Sequence, residues 1–526
     1  LASRRLLFVR NTEEEEEAAD GMTSRYGTKY AVHLINNHFG DLVSKVCECL
    51  LKRGPLTLEE IGRFTSLKPD KVRDSLLVLI QHNCVQAFTL GGFSGDSTED
   101  DAAPKTVTKF VPIFGHIIHR GRFEKFLAII KQEFDEQCYD LMEGLFQNGR
   151  LSLKQLQDRC GQLSKAKDVD AVIGNLNKLV TSRYVERCPK PEPNLSPPED
   201  EEPAPKKRGS LKGSKITVVP ETLEQHVIAA AMPTDAIRFL IPSCNGPDGE
   251  DSGNTISGEK RKRDTVDEER RNVVWRPNFE EFVFRLRHKA CIEIVRENRD
   301  DQAALVFSAM VDASKKEEKR VKAKKSVNLL LDSIYEEVIK SEKGRNLTID
   351  LVKATLVGLS ADAFIRIDNE SYTIDYKHII EEAQTAEVES VVSKRYGGDA
   401  YRMFRYLSKT DSMVETDKIL GDTLVGKTGT TKHLFRMMQD GYLVMERIQA
   451  GAQFLLWKVN KPLLLEQILD EMFHAALNLS LRTKHEKEQT PESVPKERKE
   501  KLRRVQLLLY SSLVKLDDAI MIFHNF

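Results

Sequence analysis

The chain has 526 residues, enough for roughly three to five domains. Hydrophobic residues make up 40% and charged residues 31%, so several small cores with highly charged exteriors are expected. Lys+Arg number 80 and Asp+Glu 81, a net charge of -1, which excludes both a uniformly basic nucleic-acid binder and a uniformly acidic chain.

The first residues carry Arg4-Arg5 and then only Leu6-Leu7-Phe8-Val9 before polar residues resume. That is short of the roughly 7–15 apolar residues of a secretory signal. Glu13 to Glu17 argue against a mitochondrial transit peptide, and residues 1–22 are expected to be a disordered extension. A patterned segment follows Met22. His33, Ile35, Phe39, Leu42, Val46 and Leu50 recur at helical spacing until Gly54-Pro55 breaks the run. Thr57 and Glu60 form a capping box that starts a short helix. A further helix over 69–82 puts Val72, Leu76, Leu79 and Ile80 on one face, and Val85–Phe88 and Val107–Phe110 alternate as strands around a hairpin tip at 91–105. Helix, helix–turn–helix, hairpin is the order of a winged helix, here assigned to 23–118.

The order returns three times. In 119–188 it has helices over 135–148, 153–160 and 168–182, then Tyr184–Arg187. In 273–380 it has helices over 326–341 and 350–358 and strands Phe364–Ile367 and Tyr372–Ile374. In 381–460 it has helices over 399–408, 415–420 and 430–440, then strands Tyr442–Met445 and Phe454–Trp457. Residues 189–272 read as a mostly disordered linker, rich in Pro and charge, with an ordered stretch near 215–241. From 461 to 526 two apolar seams, Leu465, Leu469, Met472, Ala476 and Leu479, and Val505, Leu509, Leu516, Ala519 and Phe523, flank a bridge with Pro491 and Pro495. The expected fold is therefore mainly α with small β wings: four tandem winged-helix domains and a C-terminal antiparallel helical hairpin or coiled coil.

Catalytic motifs are scarce. Gly421-Asp-Thr-Leu-Val-Gly426-Lys427-Thr428 matches the phosphate-cradling P-loop, but that loop needs a buried strand before it, and Glu415–Leu420 is short, charged and helical in pattern. The motif reads instead as the turn of a helix–turn–helix; ATP hydrolysis through Lys427 is the alternative it leaves. H-E-x-x-H, G-x-S-x-G and the paired aspartates of a two-metal centre are missing from the sequence; Asp168-Val-Asp170 is an isolated pair opening a helix. Neither His33 nor His433 has Cys or acidic residues at ligand spacing, Cys47 and Cys49 have no second pair, and the eight cysteines read as reduced core residues. No catalytic residue, metal site, cofactor or small-molecule substrate is expected, and no apolar run reaches the roughly 18–20 residues of a membrane span.

Binding remains. A third helix that enters a major groove would carry Lys68, Lys71 and Arg73 in the first unit and Lys427, Lys432, His433 and Arg436 in the fourth. Such cations neutralise phosphates, a salt-sensitive term; Asp70 and Asp74 interleave with the first set. Leu465, Leu469, Met472, Val505, Leu509, Leu516 and Phe523 are the candidate partner-binding residues. Lys206-Lys207-Arg208, Lys260-Arg261-Lys262-Arg263 and the basic stretch from Lys315 to Lys325 lie between folded units, and the run of four resembles a nuclear-import signal.

The run Ala386–Gly398 followed by Arg402-Met-Phe-Arg-Tyr-Leu407 resembles the last winged helix of the third-largest subunit of eukaryotic RNA polymerase III. His38–Val43 and Leu79–Asn83 resemble its first winged helix, Trp275–Phe279 the start of its middle region, and Leu516–Ile522 its C-terminal helix. The resemblance covers 23–526 in order, apart from the linker. It implies a nuclear, non-catalytic peripheral subunit related to the alpha chain of the general factor TFIIE. Implied partners are two polymerase-III-specific subunits in a heterotrimer, the clamp of the largest subunit, initiation factors and promoter DNA, single- or double-stranded. The implied role is promoter opening and initiation at transfer-RNA and 5S-ribosomal-RNA genes. A protein-docking scaffold of a cullin or proteasome-lid assembly is the alternative from residue order alone.

Overall fold

The computed structural model describes residues 24–90, 107–163, 169–195, 222–241, 273–315, 325–368, 371–410, 412–450, 452–488 and 496–526. The extension 1–22, the first hairpin tip, Ile216–Val219, Lys206–Arg208, Lys260–Arg263, residues 316–324 and the Pro491–Pro495 bridge lie outside them. The chain divides into two compact bodies, Leu1–Phe282 and Val283–Phe526.

The N-terminal body opens with α1 (Arg25–Phe39), α2 (Asp41–Arg53), α3 (Leu58–Thr65) and α4 (Pro69–Gln81). Thr57 caps α3 through the Glu60 amide, while the Glu60 carboxylate accepts from the Thr57 amide at 2.8 Å. Pro69 begins α4, where its missing N–H costs nothing. Val72, Leu76 and Leu79 turn inward onto Val46, Leu50 and Ile61, all nearly or fully buried. Strands β1 (Val85–Leu90) and β2 (Val107–Pro112) pair antiparallel, with Val85 opposite Pro112. Helices α5 (Phe114–His119) and α6 (Phe123–Glu133) lead into α7 (Glu136–Asn148). Next come β3 (Leu151–Ser152), α8 (Leu153–Leu163), α9 (Val169–Thr181), β4 (Val185–Arg187) and β5 (Asn194–Leu195). Helices α10 (Leu223–Ala231) and α11 (Asp235–Arg238) and strand β6 (Val274–Pro277) complete the body.

The first two groups of helices are locked together at a glycine. Gly149 has φ +79°, and a Cβ there would lie 2.1 Å from the Gln81 carbonyl oxygen. That oxygen accepts from the Arg150 amide at 3.1 Å, and Arg150 Nε donates to Asn83 Oδ1 at 2.9 Å. Only glycine combines this backbone angle with so close an approach.

Two strands sit where sequence order does not put them. Strand β5 pairs parallel to β1, Thr89 opposite Asn194, so residues 189–195 are folded onto the first sheet rather than being part of a disordered linker. Strand β6 lies between β3 and β4 and pairs antiparallel with both. Trp275 and its strand therefore complete the second group and do not open the third, which corrects the boundary at residue 273. The reason is charge as well as apolar burial. Glu186 on β4, 2% exposed, accepts from Arg276 Nε at 2.7 Å and from Arg238 Nε. The segment 222–241 is held beside it: Val227 packs on Phe88 and Val111, and Lys190 N donates to Ala231 O at 2.9 Å.

The division between the bodies falls within α12 (Phe279–Asn298). The C-terminal body continues with α13 (Asp301–Lys315), β7 (Leu329–Leu330), α14 (Leu331–Lys340), α15 (Ile349–Ala361), β8 (Ile365–Asp368) and β9 (Ser371–Ile374). Residues 325–330 are extended, not the first turns of a helix over 326–341. Leu329 pairs with Tyr372, and Ser326 Oγ accepts from the Ile374 amide at 2.9 Å. The first long helix of this group is α13, whose Val306, Phe307 and Met310 are fully buried.

Helices α16 (Tyr376–Tyr396) and α17 (Gly398–Lys409), strand β10 (Val414–Glu415), α18 (Thr416–Thr423), α19 (Lys427–Gln439), β11 (Val444–Ala450) and β12 (Ala452–Lys458) form the fourth group. Its sheet has the order β10-β12-β11. The last elements, α20 (Lys461–Glu488) and α21 (Lys496–His524), pack along one another. Gln384 on α16 donates to the Ile522 carbonyl at 2.9 Å, and Ile522 and Phe526 lean on the core of the third group.

Two outcomes test this packing. Removing one member of a buried ion pair costs about 3–5 kcal/mol, so Glu186→Ala should lower the N-terminal body's stability by that order in a urea melt. Burial first, then nearby cations, hold His82 down at about 4 and His116 at about 3, against 6.5 for a free imidazole. Both fold neutral, so their stabilisation is complete above pH 6.5 and is lost as pH falls toward 4 and 3. His116→Gln should flatten that acid limb in thermal melts taken across pH 3–7.

Candidate nucleic-acid interface

The two sets of cations proposed to meet phosphate lie on corresponding helices. On α4, Lys71 and Arg73 are exposed, as is Lys68 just before it. Arg73 is spoken for in part, with Asp70 Oδ1 3.5 Å from its NH1 on an open surface. Such a pair contributes little stability, but Asp70 and Asp74 together reduce the local charge of Lys68, Lys71 and Arg73 from +3 to +1. Beside it, Leu77 is 59% exposed, so the outer face of α4 is mixed rather than basic.

On α19 the surroundings are built with more care. Helix α18 ends at Leu424, a non-glycine residue at φ 56°, and Gly426 caps α19. The G-x-x-x-x-G-K-T match thus has helix α18 where a P-loop requires a strand, and its second glycine is a helix cap. Its Gly421 lies inside α18. Thr430 turns inward and is fully buried, its Oγ1 bonded to the Gly426 carbonyl at 3.1 Å. Leu434 and Met437 follow it into the core. Lys432 and Arg436 are left on the exposed side. The side chain of Lys427 lies outside the described residues, and His433 is half-buried.

Arg436 is positioned rather than free to swing. Its guanidinium lies 5.3 Å from the ring centre of Tyr396. The Tyr396 hydroxyl donates to Asp440 Oδ2 at 2.6 Å, one turn past Arg436 on the same strand of contacts. Burial, then the Asp440 carboxylate, raise the Tyr396 phenol well above its usual range. The neighbouring Arg395 donates to the Tyr442 hydroxyl at 2.9 Å and reaches Glu471 Oε2 at 2.7 Å. Tyr442 is pushed up to about 12, chiefly by burial. Gly441, at φ +82°, admits Gln467, which donates to the Asp440 carbonyl at 2.6 Å. The C-terminal end of α19 is therefore tied to both α16 and α20, and Lys432 and Arg436 are held one turn apart on one face.

Sequence periodicity missed two groups of cations here. Arg447 is exposed on strand β11, and Lys461 at the start of α20 with Lys458 close behind it. The strand pattern was visible, but Arg447 shares the core-side parity of Met445 and is exposed because the far end of β11 runs beyond the core.

The terminal helices bury a seam that keeps Met472 and Ala476 of the one read in the sequence but is displaced by one residue in its first two turns. Leu464, Ile468, Met472, Phe473 and Ala476 are buried on α20, whereas Leu465 and Leu469 are half-buried. The helix meets two surfaces, α21 and the fourth group, so its apolar stripe is wider than one seam. On α21, Ile520 and Met521 are buried, Leu509, Leu516 and Phe523 are half-buried, and Val505 is 39% exposed. Leu507 and Leu508, at 68% and 67% exposure, are the most open apolar residues of the helix.

Most of the described cysteines are core residues, whereas the histidines are spread from the core to the surface, His33 and His433 being half-buried. Cys47, Cys84, Cys138 and Cys291 are buried free thiols, and no group of His, Cys, Asp or Glu is arranged to hold a metal ion among the described residues. Likewise no described helix is long and apolar enough to cross a membrane.

The hydrogen bond to Asp440 is charge-assisted, a class worth about 1.5–3 kcal/mol. Tyr396→Phe keeps the ring under Arg436 and removes that bond, so the C-terminal body should lose about this much stability in a denaturant melt.

Comparison with known proteins places these elements. A family model described as the RNA polymerase III subunit RPC82 helix-turn-helix domain matches residues 29–90, the span of α1 to β1. A second, described as RNA polymerase III subunit RPC82, matches residues 174–383. Together they take in more than half of the chain. Among curated proteins, the chain is 22% identical to DNA-directed RNA polymerase III subunit rpc3 of Dictyostelium discoideum, over 90% of this chain and 93% of that one. It is 21% identical to DNA-directed RNA polymerase III subunit RPC3 of Homo sapiens, over 91% and 86%, and 22% identical to that of Danio rerio, over 91% and 87%. Matched by two models of one family and by relatives that run nearly its full length, the chain belongs to the RPC82 (RPC3) family of RNA polymerase III subunits.

Proposed function

We propose that this chain is a nuclear, non-catalytic peripheral subunit that acts in transcription initiation, docking on other polymerase subunits and touching promoter DNA as it opens. In this reading the four helix–sheet groups are winged helices. The first spans 23–118, the second 119–188 with β6 added, the third runs to about 380 and the fourth spans 381–460. Residues 461–526 form a helical hairpin that docks on protein. Its partners would be two polymerase-III-specific subunits, the clamp of the largest subunit and initiation factors, at transfer-RNA and 5S-ribosomal-RNA genes.

The observation that carries the DNA part is the presentation of Lys432 and Arg436. Both stand exposed on α19, the last helix of its group before the hairpin, and Arg436 is oriented by Tyr396. A cation held in place loses less freedom when it meets a phosphate. Lys68, Lys71 and Arg73 on α4 are the second candidate surface, weakened by Asp70. The near-zero charge of the whole chain fits a subunit whose DNA contacts count only within an assembly that supplies the rest. The docking part is supported by Val505, Leu507 and Leu508, which leave α21 with an open apolar face.

Lys432→Ala combined with Arg436→Ala should weaken photo-crosslinking of this chain to promoter DNA within the assembled polymerase. It should also reduce the slope of log affinity against log salt by about 2, since each phosphate contact contributes about 0.9. Unchanged crosslinking and slope would remove α19 as a DNA surface.

A further inference from the structure

The sheet of the fourth group has a free edge. Strand β11 hydrogen-bonds to β12 on one side, and β10 lies on the far side of β12. No described strand covers the other side of β11. Its seven residues form a long edge for so small a sheet, and natural proteins usually shield such an edge because its unpaired N–H and C=O groups template a further strand.

The face beside that edge is apolar except for Glu446 and Lys458. Ile448 stands opposite Phe454, Glu446 opposite Leu456 and Val444 opposite Lys458, and the two-residue period of a strand places all six on one side. Trp457, fully buried, marks the opposite side as the core. On the outer side Val444, Ile448 and Phe454 are 38%, 44% and 37% exposed. This stripe runs into a cavity of about 440 Å³ at the base of the hairpin, lined by Leu407, Met413, Val459 and Pro462 and by Lys458 and Lys461. No carboxylate is among these lining residues, and neither lysine forms an ion pair with a described residue.

We propose that this edge and cavity are a docking site for an extended acidic segment of a partner protein. The segment lies along β11 as a fourth strand. Its alternate apolar side chains cover Val444, Ile448 and Phe454, and an Asp or Glu at one end meets Lys458 and Lys461 at the cavity. Main-chain pairing supplies affinity in such strand addition, while pockets for alternate side chains supply specificity. Nucleic acid would use the two lysines but would leave the apolar stripe and the strand edge unsatisfied. The site is distinct from α19 and stands whether or not that helix contacts DNA.

The test places the photo-crosslinker p-benzoylphenylalanine at position 454 in the full chain, within purified polymerase III. Irradiation should join this position to one polypeptide segment of another subunit or factor, and mass spectrometry should find alternating apolar residues and an acid within it. Lys458→Glu with Lys461→Glu should reduce that crosslink by about tenfold, the effect of reversing two rim charges, with an unchanged melting temperature. Should that variant melt early, Ile448→Ser provides the second check, with the same loss expected. Crosslinking to DNA alone, to a second copy of this chain, or to nothing above the unirradiated control would each overturn the proposal, as would a crosslink insensitive to both variants.

Discussion

The N-terminal body hangs on one carboxylate. Glu186 is 2% exposed and sits between Arg276, 90 residues away, and Arg238, 52 residues away in the chain. A buried charge is tolerated only when it is paired and hydrogen-bonded, so Glu186 needs its two arginines, while Arg238 also reaches Glu280 at 3.0 Å. Their pairing brings together strand β4, helix α11 and strand β6. Once β6 is in place, Trp275 is buried within the sheet, and Phe279 and Phe282 follow into an aromatic cluster. Phe123 stacks on Phe146 at 4.5 Å, and Phe126 on Phe282 at 4.8 Å. A polar constraint thus decides where a large share of the apolar material goes.

The same economy governs the C-terminal body. Small helix–sheet groups bury too little surface to stand alone, and each borrows from elsewhere in the chain. The third group takes Ile522 and Phe526 from the far end. The fourth is clamped by Tyr396 and Arg395 at the end of α16, through Asp440, Tyr442 and Glu471. Borrowing has a functional consequence. The C-terminal end of α19 is fixed by its neighbours, which holds Arg436 in place and leaves Lys432 in an open position.

Much of the local structure was legible from residue pattern. The Thr57–Glu60 capping box, Pro69 at the first turn of α4 and the alternation in β1 and β2 are local signals, and each acts within a few residues of its cause. The P-loop match was legible too, because a phosphate loop needs a strand before it and Glu415–Leu420 lacked the pattern of one. The candidate cations were found by their position on third helices, but their quality was not. Asp70 beside Arg73 was visible as a neighbour in sequence, whereas Tyr396 beneath Arg436 is 40 residues away and only folding brings it there. The outward face of β11 escaped notice because alternation marks two faces without saying which is inside.

What the sequence determined by itself was the series of helices and hairpins, since capping, periodicity and turn residues are short-range causes. The family followed from the order of those pieces, with its signature runs. What only the tertiary structure decided was ownership: that Val274–Pro277 completes the second sheet, that Asn194-Leu195 extends the first, and that the seam of α20 is Leu464 and Ile468 rather than their neighbours. Strand pairing and ion pairing between distant residues depend on which partners remain unsatisfied after the local elements form, and no window of sequence contains both sides of that choice.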